Sequence, residues 1–388
     1  MFSIRRRTIL DRFSAVSFKG PGFDQIRLAA AMVVVAHHSW WGVNDVLYRY
    51  SHEFVHLGLF AVIVFFCISG FLVTPGLVRS GDIIKFGVHR ALRILPALIA
   101  VVIASMFVLG PLVTKGSLGD YFSDSQLYFY ARNIATLMAS YLPGVTEGGR
   151  PVIINGALWT LNIEVYSYIA LAVLCFIGAL RHRMFALMVL VVVYITYVML
   201  TIDTTFGAMS STRFTNFVSL FVYFMAGTCL FLYGDKIPFS ATLAVAAFFF
   251  SMVGLAIGLG AVVLPVCVPY IVVYLGLSNL PGRALFKHDL SYGVYLIHSP
   301  VVVAVTLLLN LRAGWPVTLI TVAITLMLAY LSWTFVERPA LRQKKVVSDW
   351  LVLFAGRLIP LRSSFRRLPL QDASESVLGD SRIPERTS

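Results

Sequence analysis

Ten stretches of this chain are apolar over close to the length a helix needs to cross a bilayer, and they limit the fold more than any other feature. They lie near residues 24–43, 55–78, 94–114, 158–180, 184–202, 215–233, 239–257, 261–278, 290–309 and 315–336. About 20 residues rising roughly 1.5 Å each match the roughly 30 Å of hydrocarbon. Lipid offers no partner to a backbone polar group, so apolar runs of this length must close their own hydrogen bonds as helices. Composition agrees, with 59% apolar residues and only 13% charged, against about 25% charged in a soluble domain. Residues 1–23 and 337–388 hold 6 and 16 of the charges, leaving 27 for the 313 residues between. The fold class expected is an all-α polytopic membrane protein with about ten transmembrane helices. It divides into a basic cytoplasmic segment (1–23), a membrane domain (24–339) and a cytoplasmic tail (340–388). The tail keeps one apolar stretch, Trp350–Ile359, and reads as partly surface-bound and partly disordered.

The first run is the shortest, Leu28 to Trp41, and a signal peptide competes for it. Trp40-Trp41-Gly42-Val43-Asn44 offers no small-x-small cleavage site, and Asp24 and Arg27 suit the base of a helix. Lys and Arg then orient the chain. With both termini cytoplasmic, 25 basic residues fall inside, Arg283 and Lys287 among them, and 6 outside (Arg49, Lys115, Arg132, Arg150, Arg213 and Arg312), as the positive-inside rule requires. The net charge of +13 sits at the ends of an apolar body. It therefore reads as an anchor to anionic membrane lipid, not a nucleic-acid-binding stripe. Cys67, Cys175, Cys229 and Cys267 have no CxxC spacing, so neither metal site nor disulfide framework is expected. The longest outside loop, Lys115 to Asn155, is long enough to be functional, and only Gly254–Gly260 separates the seventh and eighth spans, which could form a re-entrant pair.

Ionisable groups inside spans are costly and are functional candidates by default. The first span carries Asp24, Arg27, His37 and His38. At about 100° per residue, Arg27 and His38 lie about 20° apart around the helix, Asp24 and His38 about 40°, whereas His37 turns about 80° from Arg27. Asp24, Arg27 and His38 thus share a face, with His38 roughly 16 Å deeper than Arg27. A structural histidine bonding across helices is the competing reading. Ser69-Gly70 in the second span reads equally as a small-residue helix contact. In the loop that follows, Arg90 and Arg93 are i,i+3 neighbours at the cytoplasmic mouth, with Lys85 nearby. Two guanidinium forks suit a phosphorylated ligand or an anionic lipid. Glu164 lies just inside the fourth span, flanked by the belt aromatics Trp159, Tyr166 and Tyr168. Ser291, Tyr295 and His298 form an i, i+4, i+7 stripe on the ninth, and Glu337-Arg338-Pro339 closes the tenth, where a charged stop signal would serve as well.

The order of these elements is more specific than any one of them. Asp24-x-x-Arg27 with His38 eleven residues on, FFCISG, Arg90-x-x-Arg93-Ile94-x-Pro96, LWTLNIE, SYGVYLIH and VERP follow one another over residues 24–339. In this they resemble the acyltransferase-3 family of bacterial membrane O-acyltransferases. The resemblance implies a multi-pass protein of the bacterial inner membrane that moves an acetyl group from cytoplasmic acetyl-CoA, a co-substrate and not a resident cofactor. The acceptor it implies is a hydroxyl of a lipid-linked or exported glycan, such as an O-antigen, exopolysaccharide or lipo-oligosaccharide. It assigns catalysis to His38 and the acyl donor to Arg90 and Arg93. Val165 stands where the family often has a second acid, leaving Glu164 alone.

The chemistry suits such a site. Transfer from a thioester to an alcohol needs a base or nucleophile and an oxyanion donor. His38 would supply the first, with Asp24, Arg27 and Glu164 supporting it and Ser69 or a backbone N–H near Gly70 facing the oxyanion. Arg90, Arg93 and Lys85 would hold the phosphates, and no metal is required. A proton-coupled transporter also suits paired intramembrane histidines, but matching Gly/Pro-broken halves are not found. A non-catalytic flippase or scaffold of polysaccharide export is the third reading.

Overall fold

Each of the ten apolar runs folds as a helix in the computed structural model, which describes residues 7–40, 44–205, 212–281 and 289–358. In chain order the helices are α1 (Ile9–Ala15), α2 (Phe23–Ser39), α3 (Asn44–Tyr50), α4 (Leu57–Ser80), α5 (Ile83–Ala104) and α6 (Gly110–Val113). Next come α7 (Leu118–Ser123), α8 (Ser125–Tyr130), α9 (Leu158–Phe176), α10 (Arg183–Thr205), α11 (Arg213–Leu232), α12 (Ala241–Ala256) and α13 (Gly260–Leu277). The last are α14 (Ser291–Leu309), α15 (Trp315–Ser332), α16 (Arg338–Arg342) and α17 (Lys344–Leu358). Among the described residues, eight helical segments are long and apolar enough to cross a membrane. The first and seventh expected spans form α2 and α12, of 17 and 16 residues. The seventh and eighth are two separate helices packed on each other, with Gly254 against Val263. Arg283, Lys287, residues 41–43 and the tail beyond 358 lie outside the described residues.

The third span starts earlier than its apolar run suggests. Asp82 caps α5 by accepting the Lys85 N–H, and the helix runs on through a π turn (Ser105–Leu109) into α6, giving a continuous segment Ile83–Val113. Arg90 and Arg93 are therefore on the second and third turns of a helix, not in a loop. A hydrogen-bonded turn hides its backbone polarity, so a helix tolerates these charges wherever partners or a cavity meet them.

The segment from Lys115 to Asn155 is not a free loop either. It folds back along α5. Tyr121 Oη donates to Met106 O at 2.7 Å, and Gly110 gives the ring its room, since a Cβ there would lie 1.9 Å from that oxygen. A 3-10 turn, Ala131–Ala135, packs against α5, and Asn133 clamps the return of the chain through both backbone groups of Ala139. A two-residue hairpin, β1 (Thr146–Glu147) with β2 (Arg150–Pro151), precedes α9.

Helices α2, α4, α11 and α14 form the centre, while α10 and α15 are largely exposed at the periphery. The tightest contact joins α4 to α11 through two glycines. A Cβ on Gly70 would lie 1.9 Å from Phe224 O, and one on Gly227 would lie 2.3 Å from Cys67 O. Such small residues let backbones approach where lipid provides no hydrophobic drive. Gly70→Ala should therefore destabilise the protein by about 1–3 kcal/mol, the usual cost of overpacking. Gly76, six residues along the same helix, has nothing within 4 Å of the place a Cβ would take. Gly76→Ala should be neutral or raise stability by up to about 1 kcal/mol. Thermal unfolding of the two variants in detergent gives the comparison, and equal behaviour would remove the contact's significance.

Candidate active site

The polar residues of α2 and α14 face each other along the bundle and make two clusters, one at each end. At the end holding the first residues of α2, five charges alternate. Arg27 donates to Asp24 at 3.0 Å and to Asp289 at 3.3 Å; Arg93 donates to the same Asp289 carboxylate and to Glu337 at 3.5 Å. Asp289 also accepts the Ser291 hydroxyl, and Glu337 the Ser332 hydroxyl at 3.2 Å. Burial alone would push the Asp289 carboxyl up, but Arg93 and Arg27 outweigh it and hold it down at about 2. Glu337 is 2% exposed and is turned inward by a π turn, Trp333–Glu337, so it is a member of this network and not a simple stop signal. Gly293 lets α14 approach it closely, a Cβ there lying 3.1 Å from Glu337 Oε1.

Midway, Glu164 on α9 accepts hydrogen bonds from Ser69 Oγ at 3.3 Å and from Tyr168 Oη. Tyr295 shares a hydrogen bond with Thr160 one turn before Glu164. Gly70 is fully used by the α11 contact, and a helix-interior N–H is already bonded within its own helix, so the oxyanion role expected near it passes from the backbone. Trp159 takes no part in these polar contacts and packs against the apolar core.

The far cluster fixes a tautomer. His298 is fully buried, and its Nδ1 lies 2.8 Å from Tyr295 O and 3.3 Å from Val294 O. Both are acceptors, so Nδ1 carries the proton and Nε2 of the neutral ring holds the lone pair. That Nε2 is 3.3 Å from His38 Nδ1, which is also 2.9 Å from Val34 O. His38 Nδ1 is therefore the donor, and its Nε2 keeps a lone pair with no partner among the described residues. This nitrogen faces Gly156, where a Cβ would stand 3.9 Å away. The turn over it is pinned by Asn155 Nδ2 donating to Leu296 O and by the Gly156 N–H donating to Ser299 Oγ. His37 points elsewhere, as its helical angle requires. Its ring stacks on His56, with centroids 4.3 Å apart, and lies over Gly58 of α4. A single unprotonated imidazole nitrogen, oriented by a second histidine, is a competent base or nucleophile.

Of the three cations expected to hold phosphates, the structure leaves one uncommitted. Arg93 belongs to the ionic network, and Lys85 lies 3.9 Å from Asp82 and 4.0 Å from Asp349. Arg90 has no ion pair among the described residues and sits 5.7 Å above the Tyr168 ring. It lines a largely apolar cavity of about 660 Å³ between α5 and α9, closed on one side by Ile134–Thr136. Sequence reasoning does not single out Asp289. The signal for it is an acid two residues ahead of the Ser291 stripe, in a loop that bears on the sequence argument only through its Lys and Arg.

Comparison with known proteins agrees with this arrangement. Residues 21–336 match the family described as an acyltransferase domain, and the chain belongs to it. It is 30% identical over 332 residues to a protein of Shigella phage Sf6 named O-acetyl transferase, covering 81% of this chain and 94% of the relative. It is also 30% identical over 353 residues to Nodulation protein 10 of Rhizobium leguminosarum bv. viciae, covering 82% and 93%. No solved structure matches the chain.

Two measurements check the geometry. Removing Asp289 takes the shared carboxylate from two part-buried arginines that each keep a second acid, so Asp289→Asn should cost about 2–3 kcal/mol, less than breaking a fully buried pair. Because its folded pKa is depressed to about 2, its stabilisation is complete above the unfolded value of about 4 and is lost as pH falls from there through about 2. The variant's stability should be flatter than wild type across that window; parallel curves would place the carboxylate outside the network. For the histidines, His38→Ala should lower acyl transfer by about 10²–10⁴. His298→Phe should cost less than His38→Ala, since Val34 O still accepts the Nδ1 proton of His38, and His37→Ala should stay well above His38→Ala. A His37→Ala loss equal to that of His38→Ala, at matched membrane insertion, would overturn the assignment of the site to His38.

Proposed function

Taking that membership as premise, we propose that this protein is a bacterial inner-membrane O-acetyltransferase. It takes the acetyl group of cytoplasmic acetyl-CoA and delivers it to a hydroxyl of a cell-surface or exported glycan. The observation that carries the reading is the His38 Nε2 lone pair, which has no partner among the described residues because Nδ1 donates to Val34 O and His298 Nε2. The naming of the phage relative as an O-acetyl transferase supports the acetyl group, and the uncommitted Arg90 on the charge-rich side supports an anionic donor.

The residues then divide the work. The acceptor hydroxyl attacks the thioester carbonyl while His38 Nε2 takes its proton; the carbon–sulfur bond breaks, and the thiolate leaves with a proton returned by the imidazolium. His298 accepts the hydrogen bond from His38 Nδ1 throughout, which keeps Nε2 aimed at the reacting oxygen. Glu164 accepts the hydroxyl protons of Ser69 and Tyr168 at the mid-depth of the bundle, which ties α4 to α9 beside the reacting groups and leaves neither hydroxyl free to donate to the thioester oxygen. Arg27 and Arg93 are tied to carboxylates and act as scaffold.

Purified protein in lipid vesicles, given acetyl-CoA labelled in its acetyl group and cell-envelope glycan, should transfer label to the glycan. Arg90→Ala should raise KM for acetyl-CoA about tenfold or more, the worth of a charge-assisted bond, with kcat little changed. A transporter or a passive export scaffold would release no coenzyme A, so absence of acetyl-CoA turnover with any glycan fraction would end this reading.

A further inference from the structure

The end of the described chain runs antiparallel to α5 and meets it at two ion pairs, one on either side of the break between α16 and α17 at Gln343. Glu337 meets Arg93 at 3.5 Å, and Asp349 meets Lys85 at 4.0 Å. Between these rungs α16 and α17 pack along α5. Exposed pairs such as Lys85–Asp349 add little stability; what they report is alignment. The Lys85–Asp349 pair joins α17 itself to α5, and from it Arg90 is five residues on and Lys344 five residues back, so the equal rise of two packed helices brings Lys344 to about the level of Arg90.

Here the ladder breaks its own rule. Acid faces base on either side, but in the middle a lysine faces an arginine. Neither Arg90 nor Lys344 has a carboxylate partner among the described residues, and Lys344 is half-buried. Placing two cations together at a partly desolvated site costs energy unless an anion lies between them. The groups around Lys344 are His89, Arg90 and Arg93 on α5, the last already paired with Asp289 and Glu337, and farther out Lys85 with Asp349. Burial, then Arg90 and Arg93, lowers the Lys344 ammonium to about 8, as expected of a cation waiting for a counter-ion.

We propose that Arg90 and Lys344 form a phosphate clamp that closes on the coenzyme A moiety of the acyl donor, Arg90 as a planar fork and Lys344 as a point charge. The inference rests on the acetyl-CoA reading above. It also assigns a binding role to a residue outside the matched acyltransferase domain, which ends at residue 336. The tail's first helix is then a wall of the donor site, and the membrane domain alone is incomplete.

The test is equilibrium binding of coenzyme A to the full-length protein in nanodiscs of neutral lipid, by calorimetry. Lys344→Gln should weaken binding about tenfold, Lys344→Arg should restore it, and Lys345→Gln, an exposed neighbour, should change nothing. Between pH 7 and 9 wild-type affinity should fall as Lys344 loses its proton, and Lys344→Arg should fall less; this comparison stands even if the Gln variant does not fold. Wild-type binding with an unaltered Lys344→Gln affinity would overturn the clamp and leave the acetyl-CoA reading intact. If wild type binds no coenzyme A, the donor reading fails first and the clamp with it. If Lys344→Gln changes only the stabilisation by nanodiscs containing phosphatidylglycerol, the anion is a lipid headgroup and the donor assignment is overturned.

Discussion

One carboxylate shared by two arginines holds the charged end of this protein together. Asp289 bonds Arg27 of α2 and Arg93 of α5, and it sits just ahead of α14. Glu337 then adds the end of the last span through Arg93. Any one of these charges taken into the membrane domain alone would cost several kcal/mol. Together they alternate in sign, and hydroxyls of Ser291 and Ser332 take up remaining lone pairs. Four segments far apart in sequence can satisfy this network only in one relative arrangement. Its net worth against an apolar core is small, but it penalises alternatives heavily, because any misregister strands a charge.

That constraint sets the depth of the rest. With Arg27 fixed at the mouth, the helical rise places His38 roughly 16 Å further along α2. With Asp289 fixed, Tyr295 and His298 fall at matching levels on α14. The packing contacts act at right angles to this axis. Gly70 and Gly227 let α4 and α11 touch backbone to backbone, and α4 in turn presents Gly58 to His37 and Ser69 to Glu164. Longitudinal register comes from charge and lateral approach from missing side chains, so the two determinants are nearly independent.

Much of this is legible in the sequence because a bilayer forces periodicity. Ten apolar runs become ten helices, and a face calculated from steps of about 100° separates His38 from His37 on sequence alone. What escapes are features that depend on a partner distant in sequence. Arg90 and Arg93 read as loop residues because their charge masks a helix whose burial of polarity depends on Asp289 and Glu337. Gly70 reads equally as packing or as oxyanion contact; only Phe224, across the bundle, decides. Residues 115–155 look like an exposed loop because Gly, Ser and Pro punctuate them, yet aromatics such as Tyr121 bind back onto α5. The density of aromatics there is the available signal.

The contrast between the two clusters explains why an imidazole suits the proposed reacting position. At the rim, ions are tolerable because water and opposite charges are near. Deeper in, an unpaired carboxylate base would have to stay ionised in apolar surroundings, where the neutral form wins. A neutral histidine keeps a basic lone pair without carrying charge in its resting state. It then needs only to be told which nitrogen holds the proton. A carboxylate partner would do so by charge; here Val34 O and His298 Nε2 do so by geometry, the latter because two backbone carbonyls fix the Nδ1–H of His298 and so the acceptor it offers to His38. In the proposed reaction, positive charge would appear in this chamber only transiently, after proton transfer from the acceptor. A neutral orienter stabilises that imidazolium less than an aspartate would, and so favours the proton's quick return to the leaving group.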